Sequence, residues 1–339
     1  MSEIDRRICT APMMDSTDRH CRFFLRLFAP HALLYTEMIT AAALVHGDRR
    51  RLLAFDPAEH PVALQLGGSE PALLSRAAEW GADSGYDEIN LNVGCPSDRV
   101  QSGAFGACLM AQPALVAECV AAMRARVTIP VTVKVRIGVE SGAGAAARGL
   151  EFSGEDEGRL HDFVATVATA GCKVFAVHAR KAVLSGFSPK DNREIPPLRY
   201  DVVRRLKQRF PALTIVANGG IRDSGQALAL LADVDGVMIG REAYHHPYLL
   251  AELEQALHPN AGWQLPDRIV VLEELARYAA RQLAAGHRLH SITRHILGVF
   301  TGQPGARSWR RYFADAARRE GAGVEVLTRA VEMLRREAA

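Results

Sequence analysis

Short apolar runs rich in β-branched residues recur along the first 240 residues of the chain. Longer stretches of Ala, Leu and charged residues separate them, with the spacing of amphipathic helices. The eight runs lie at 8–13, 32–38, 62–66, 88–93, 131–137, 173–178, 213–217 and 236–239. Strands that alternate with helices predict a parallel sheet. Eight such units in about 250 residues predict a closed (β/α)8 TIM barrel, an α/β fold, over residues 1–248.

The pattern changes after Tyr248, where only helical periodicity remains. Five helices are predicted, at 247–257, 267–285, 291–301, 306–319 and 324–337. We therefore expect a C-terminal all-helical domain over residues 249–339. The charge divides in the same way: the chain carries a formal net charge of +3, and residues 251–339, with 13 Arg, no Lys and 10 acidic residues, account for all of it. A basic helical domain is typical of binding to nucleic acid.

Composition excludes several classes of protein. A hydrophobic content of 48% excludes a disordered chain. No apolar run reaches the roughly 20 residues of a membrane helix, and the charged segment 1–7 is unlike a signal peptide, so we expect a cytoplasmic protein without membrane contact.

The six cysteines form no C-x-x-C pair, which predicts free thiols. His287, His290 and His295 lack Cys or carboxylate partners, and we predict no metal site. The expected oligomeric state is a monomer.

Polar residues cluster at the carboxyl ends of the predicted strands. They are Glu37, Gln65, Asn90, Asn92, Lys134, Arg136, His178, Arg180, Asn218 and Arg241. The pairs 90/92, 134/136 and 178/180 are spaced by two, so each pair shares one face of its strand. Burying unpaired charge against the outer helices is costly, which directs these side chains to the mouth of the barrel, where barrel enzymes bind substrates. A structural salt-bridge layer is the alternative, but too few carboxylates accompany the cations.

Two features suggest chemistry at that mouth. Asn218-Gly219-Gly220 and Gly240-Arg241 follow strands seven and eight, where barrels often bind phosphate, although glycine pairs also simply form turns. Cys95 stands in a Gly/Pro-punctuated loop after strand four. An ordinary thiol has a pKa of about 8.5 and is mainly protonated at neutral pH, so Cys95 can act as a general acid.

Several motifs together resemble the tRNA-dihydrouridine synthases, most closely the bacterial A-type enzymes. The motifs are Ala11–Asp15, Gln65–Gly68, Asn90–Ser97, Val133–Gly138, Val177–Arg180, Asn218–Gly220 and Gly236–Arg241. The A-type likeness comes from Arg19–Phe23, Leu184–Lys190 and Pro304–Arg311. The resemblance implies an FMN-binding barrel, NADPH as the source of electrons, and reduction of uridine to 5,6-dihydrouridine in the tRNA D-loop, at positions 20 and 20a.

The resemblance also implies roles for individual residues. Cys95 would give a proton to C5 of the uracil while reduced FMN gives a hydride to C6, with Lys134 or Arg180 stabilising the developing enolate. The implied FMN contacts are Pro12, Met13, Met14, Gln65, Lys134, His178, Asn218, Gly219, Gly220, Gly240 and Arg241. The implied tRNA contacts are Asn92, Arg180, Asp191, Glu194, Arg307 and Arg310. An insertion near 141–154 departs from the family pattern; covering the mouth of the site is one role open to it, and the sequence does not assign its role.

Two other functions fit part of the pattern. Lys134 could form a Schiff base in a small-molecule barrel enzyme, which would leave Cys95 and the Arg-rich domain without a purpose. A non-catalytic RNA-binding protein on a barrel scaffold would keep the basic face, but it would leave the aligned polar strand ends unexplained.

Overall fold

A closed barrel of eight parallel strands forms the body of the protein. The computed structural model describes residues 4–261 and 263–338. The strands are β1 (Ile8–Thr10), β2 (Leu34–Tyr35), β3 (Val62–Gly67), β4 (Glu88–Val93), β5 (Val131–Arg136), β6 (Val174–His178), β7 (Thr214–Asn218) and β8 (Gly236–Ile239). Each pairs in parallel with the next from β2 to β8, and β8 pairs with β1. A parallel bridge between Cys9 and Leu33 joins β1 to β2, so the prediction of a TIM barrel is confirmed.

Alternation along each strand separates two environments. On β5, Val133 and Val135 face outward and belong to the apolar cluster that includes the surrounding helices. Thr132, the residue before Val133, lies on the inner face and accepts a hydrogen bond from Asn90 of β4. The spacing of two residues therefore sends the polar strand-end residues into the barrel, as the sequence predicts.

Helices surround the barrel and follow the strands in the order typical of this fold. The helices up to residue 245 are Arg19–Arg26, Ala41–His46, Arg49–Leu52, Pro71–Asp83, Asp98–Ser102, Pro113–Arg124, Ala145–Arg148, Gly154–Thr169, Asp191–Glu194, Tyr200–Arg209, Ser224–Leu231 and Arg241–His245, with 3-10 turns at Pro57–Glu59 and Gly106–Ala111. Local signals start several of them. Ser153 and Asp156 form a capping box, and Asp223 caps Ser224–Leu231.

Only helices are found beyond residue 247 in the described part of the chain. They are Tyr248–Leu257, Arg268–Ala284, Leu289–Thr293, Ala306–Ala316 and Glu325–Ala338, with 3-10 turns at Pro259–Ala261 and Ile296–Gly298. These helices share an apolar cluster with the barrel: Val237 of β8 belongs to the same cluster as Leu272 and Trp309. None of the helices described is long and apolar enough to cross a membrane.

A small two-stranded sheet lies beside the barrel, next to the inserted segment. Val139–Glu140 pairs in parallel with Ala182–Val183, an element that the sequence pattern did not predict. Lys181 is buried and joins the segment to the barrel through Glu140 at 2.5 Å and Asp156 at 3.0 Å. No residue of 139–154 lines the large cavity at the barrel mouth. The insertion therefore contributes no residue to the wall of this cavity.

Candidate active site

A chain of hydrogen bonds runs up the interior of the barrel towards its carboxyl end. It links Arg6, Glu88, Thr132, Asn90, Gln65 and Asn92, in that order, over contacts of 2.6–2.8 Å. These buried polar groups therefore satisfy one another. Part of the polar pattern is structural, but it is a chain of amide and hydroxyl hydrogen bonds that ends in an ion pair between Arg6 and Glu88, and not the layer of salt bridges that the alternative interpretation described.

A cavity of about 1060 Å³ opens above this chain, at the carboxyl ends of the strands. Its walls contain all eleven residues named for the cofactor: Pro12, Met13, Met14, Gln65, Lys134, His178, Asn218, Gly219, Gly220, Gly240 and Arg241. Cys95, Asn92, Arg180 and Glu194 also line it. Asp191, Arg307 and Arg310 do not. The wall of this one cavity is therefore formed by residues from segments spread between Ala11 and Glu242.

Positive charge dominates the cavity. The basic residues in its wall are Lys134, Arg136, Arg180, Arg193, Arg222 and Arg241, against Glu194, Asp223 and Glu242. Burial and the neighbouring Arg136 lower the pKa of Lys134 to about 8. Burial, Arg136 and Lys134 also hold the pKa of His178 well below its usual value, so this imidazole is neutral at physiological pH. Such an excess of cations favours an anionic ligand.

The glycines after β7 lie against the cavity wall in conformations that other residues rarely adopt. Gly219 and Gly220 have φ values of 109° and 69°. A Cβ on Gly219 would lie 2.4 Å from Cδ2 of His178, and one on Gly220 would lie 2.3 Å from Cδ1 of Leu198. Both the backbone conformation and the available space therefore require glycine, and the exposed backbone forms one side of the cavity.

Two neighbours hold the loop that carries Cys95. Oδ1 of Asn92 accepts hydrogen bonds from the backbone N–H groups of Gly94 at 3.1 Å and Cys95 at 3.0 Å. Nε of Arg136 donates to the carbonyl of Gly94 at 2.9 Å. In the described residues the Sγ atom of Cys95 has one hydrogen-bonding neighbour, Oγ of Ser97 at 3.4 Å. No histidine or carboxylate is hydrogen-bonded to this thiol among the described residues, unlike the usual surroundings of a nucleophilic cysteine.

The residues named for tRNA occupy three different settings. Glu194 pairs with Arg241 at the cavity rim, at 2.8 Å, and Arg180 donates to the carbonyls of Glu194 and Pro196. Asp191 lies outside the cavity and accepts from Ser188.

Asn92 is buried and already makes three hydrogen bonds within the chain. Arg307 and Arg310 are exposed on the helix Ala306–Ala316, whose other face buries Trp309 and Phe313. The cavity and this basic helix are therefore separate parts of the surface.

Two contributions were not visible in the sequence. Arg136 was noted for its spacing, but nothing predicted that it would support the Cys95 loop. Asp18 links the loop 12–18 to the C-terminal helices, through Arg294 at 2.6 Å and His295 at 3.0 Å. Asp18 and Arg294 are 276 positions apart in the sequence, so no local pattern could reveal that contact.

Solved structures with a similar barrel are distant in sequence. Morphinone reductase in complex with tetrahydroNAD superposes with a TM-score of 0.51 at 14% identity, over 78% of this chain and 90% of that chain. Histamine dehydrogenase from Rhizobium sp. 4-9 gives a TM-score of 0.54 at 12% identity, over 75% of this chain and 47% of that one. At such identities the likeness shows the fold alone.

Closer relatives are found by sequence. The tRNA-dihydrouridine(20/20a) synthase of Synechocystis sp. is 54% identical over 96% of this chain and 93% of its own length. The protein of the same name from Shewanella oneidensis is 53% identical over 96% of this chain and 92% of its own length. Residues 9–336 match the family described as dihydrouridine synthase (Dus), which confirms the resemblance drawn from the motifs. The chain belongs to the dihydrouridine synthase family.

Proposed function

We propose that the protein reduces the C5=C6 bond of uridine to 5,6-dihydrouridine in the D-loop of tRNA, at positions 20 and 20a. Its family membership and the names of its relatives support this activity and these positions. The structural observation that carries the proposal is the single cavity that joins Cys95 to the cations and to the glycine-lined wall.

The cavity fits FMN as the cofactor. Its volume of about 1060 Å³ lies just above the roughly 300–1,000 Å³ range of ligand pockets, which leaves room for a flavin and a base together. Gly219, Gly220, Gly240 and Arg241 would hold the phosphate, where backbone N–H groups and a guanidinium converge. The wall that contains Gln65, Lys134 and His178 would contact the ring system. Bound FMN, reduced by NADPH, supplies the hydride for C6.

The side chains of this protein would perform the remaining steps. Cys95 donates the proton to C5 of the uracil, and Asn92 and Arg136 orient its loop. Lys134 and Arg180 stabilise the negative charge that develops on the uracil oxygen during reduction. The target uridine must leave its stack to enter the cavity, as bases do in other enzymes that modify them.

The helices of residues 249–339 would form a tRNA-binding domain beside the catalytic barrel of residues 1–248. Arg307 and Arg310 are exposed, and neither forms an ion pair among the residues described. They are free to contact phosphates, while Arg180, Asp191 and Glu194 would contact the tRNA near the cavity rim. We propose that the enzyme acts as a monomer in the cytoplasm.

One observation favours a second candidate function. A lysine with a pKa lowered to about 8 by burial suits Schiff-base chemistry, so Lys134 could serve a small-molecule reaction. Borohydride would then trap a carbonyl substrate on the protein. A purified protein that retains flavin and is not labelled in this way excludes that function.

The decisive experiment uses tRNA from a strain that lacks dihydrouridine synthases. The purified protein with FMN and NADPH should form dihydrouridine at positions 20 and 20a, with NADPH oxidation that depends on the tRNA. Modification at other D-loop positions would overturn the assignment of positions. No modification of any tRNA, with flavin bound and reduced, would overturn the proposed activity. RNA binding without NADPH oxidation would instead identify a non-catalytic binding protein.

A further inference from the structure

Three potential metal ligands meet at the end of the barrel opposite the cavity. His31 lies in the loop before β2, Glu254 lies on the helix Tyr248–Leu257, and His258 follows that helix. One ligand atom from each residue lies within 4.8 Å of those of the other two. Because His31 and Glu254 are 223 residues apart, the sequence contains no motif that reveals the group, and the prediction of no metal site did not consider it.

The two histidine side chains converge on the carboxylate of Glu254. Nδ1 of His31 hydrogen-bonds to Oε1 of Glu254, and Nε2 of His258 lies 3.6 Å from the same oxygen. The two imidazole rings stack, with centroids 4.2 Å apart and an angle of 26° between their planes. Zinc bonds of about 2.0–2.2 Å in a tetrahedron separate ligand atoms by roughly 3.3 Å, so small side-chain shifts would complete such a site.

Glu254 provides an independent sign that the site is incomplete. Its side chain is 0% exposed. Its second oxygen, Oε2, is buried and has no hydrogen-bond partner among the described residues. A buried carboxylate oxygen without a partner is costly, and a cation bound by the same carboxylate removes that cost.

The surroundings also bear on the identity of the ion. His31 is 46% exposed, which gives an ion access from solvent. Asp5 lies 3.5 Å from Nε2 of His258 and adds a second carboxylate. Arg7 opposes the binding of a cation, because its guanidinium lies 3.3 Å from Nε2 of His258. The same guanidinium forms an ion pair with Asp5 at 2.6 Å. Two imidazoles and a carboxylate are ligands that zinc prefers, and they suit calcium or magnesium poorly.

We propose that His31, Glu254 and His258 bind a divalent transition-metal ion of the zinc class, with Asp5 or water in the fourth position. The ion would fasten the first helix after the barrel to the loop that leads into β2. It would lie at the amino-terminal ends of the strands, away from the cavity, so its role would be structural.

The test titrates zinc into the full-length protein after treatment with EDTA, followed by calorimetry and thermal unfolding. We expect one strong site per chain and a higher Tm with zinc. His31→Ala and His258→Ala should each weaken that site at least about tenfold. Arg7→Ala should strengthen it, because it removes the competing cation.

His246→Ala is the matched control, because His246 contacts Glu242 in a pair that has no second histidine. Its zinc affinity should equal that of the unaltered protein. His31 is half exposed, so His31→Ala should fold, and circular dichroism checks this. If zinc binds no more tightly to the unaltered protein than to His31→Ala, or does not bind at all, the proposal is wrong. The positive charges of Arg7 and Arg26, which both interact electrostatically with Glu254, would then compensate the charge of this carboxylate.

Discussion

The lowered pKa of Lys134 predicts that binding of the proposed cofactor, FMN, weakens at alkaline pH. In the free protein, burial and the charge of Arg136 lower the pKa of this ammonium to about 8. An anionic ligand in the cavity favours the charged form, which should return the pKa in the complex to at least the ordinary lysine value of about 10.4. At a pH between these two pKa values, Lys134 is mostly neutral in the free protein but still protonated in the complex. Binding therefore takes up a proton, and the affinity falls as the pH rises.

The magnitude follows from the same two values. At pH 9 about 90% of the free protein carries neutral Lys134, if its pKa is about 8, so the affinity should be about tenfold lower than at pH 7. This corresponds to about 1.4 kcal/mol. His178 does not titrate in this window, because its pKa lies well below the usual value. Arg136, with a pKa lowered to about 10, begins to contribute only above it.

Fluorescence titration of FMN into flavin-free protein at constant ionic strength, from pH 7 to pH 9, measures the effect. Calorimetry in buffers of different ionisation enthalpy counts the protons taken up, with an expected value close to one per FMN at pH 9. Lys134→Met removes the charge at similar length and should bind FMN more weakly, with an almost flat pH dependence. Equal affinity of the unaltered protein at pH 7 and pH 9, or an undiminished slope in Lys134→Met, would refute the reasoning.

Three further predictions concern the proposed roles of other residues. Cys95→Ala should slow uridine reduction by roughly 10²–10⁴-fold, the usual contribution of a general acid, while NADPH still reduces the flavin at the normal rate in stopped-flow measurements. A parallel loss of both half-reactions would show instead that Cys95 maintains the flavin site. Arg241→Ala should lose FMN on dialysis, and full retention, measured by absorbance, would argue against the phosphate position. Replacing Arg307 and Arg310 by Ala should weaken tRNA binding and flatten its salt dependence by roughly one unit per lost phosphate contact, with flavin content unchanged. An unaltered salt slope would remove this helix face from the tRNA-binding surface.

The barrel was predictable because its strands repeat one pattern eight times. In β5, Val133 and Val135 alternate with Thr132 and Lys134, and the structure places the first pair against the helices and the second pair inside. The same alternation located the cavity, since polar residues that share an inner face must meet at the axis. The predicted strand at 32–38 is less regular: the structure has β2 at Leu34–Tyr35 and a separate short strand at Ile39–Thr40.

Contacts between distant segments could not be predicted in this way. The sheet formed by Val139–Glu140 and Ala182–Val183 has two residues per strand, too few for a periodic pattern. Its position depends on buried Lys181, which pairs with two carboxylates far from it in sequence. Charge composition showed where basic residues are abundant, but not which of them already have partners.

The predicted tRNA contacts illustrate that distinction. Asn92 was assigned to tRNA by resemblance, yet its amide already hydrogen-bonds to Gln65 and to the Cys95 loop. Replacing it would therefore disturb the position of the thiol whether or not it contacts RNA, and a loss of activity alone would not reveal its role. Arg310 makes no such internal contact in the part of the chain that the structure describes, and it is exposed on its helix. A change in tRNA affinity in Arg310→Ala can consequently be attributed to binding, whereas the same change in Asn92→Ala requires the rate of proton transfer to be measured separately.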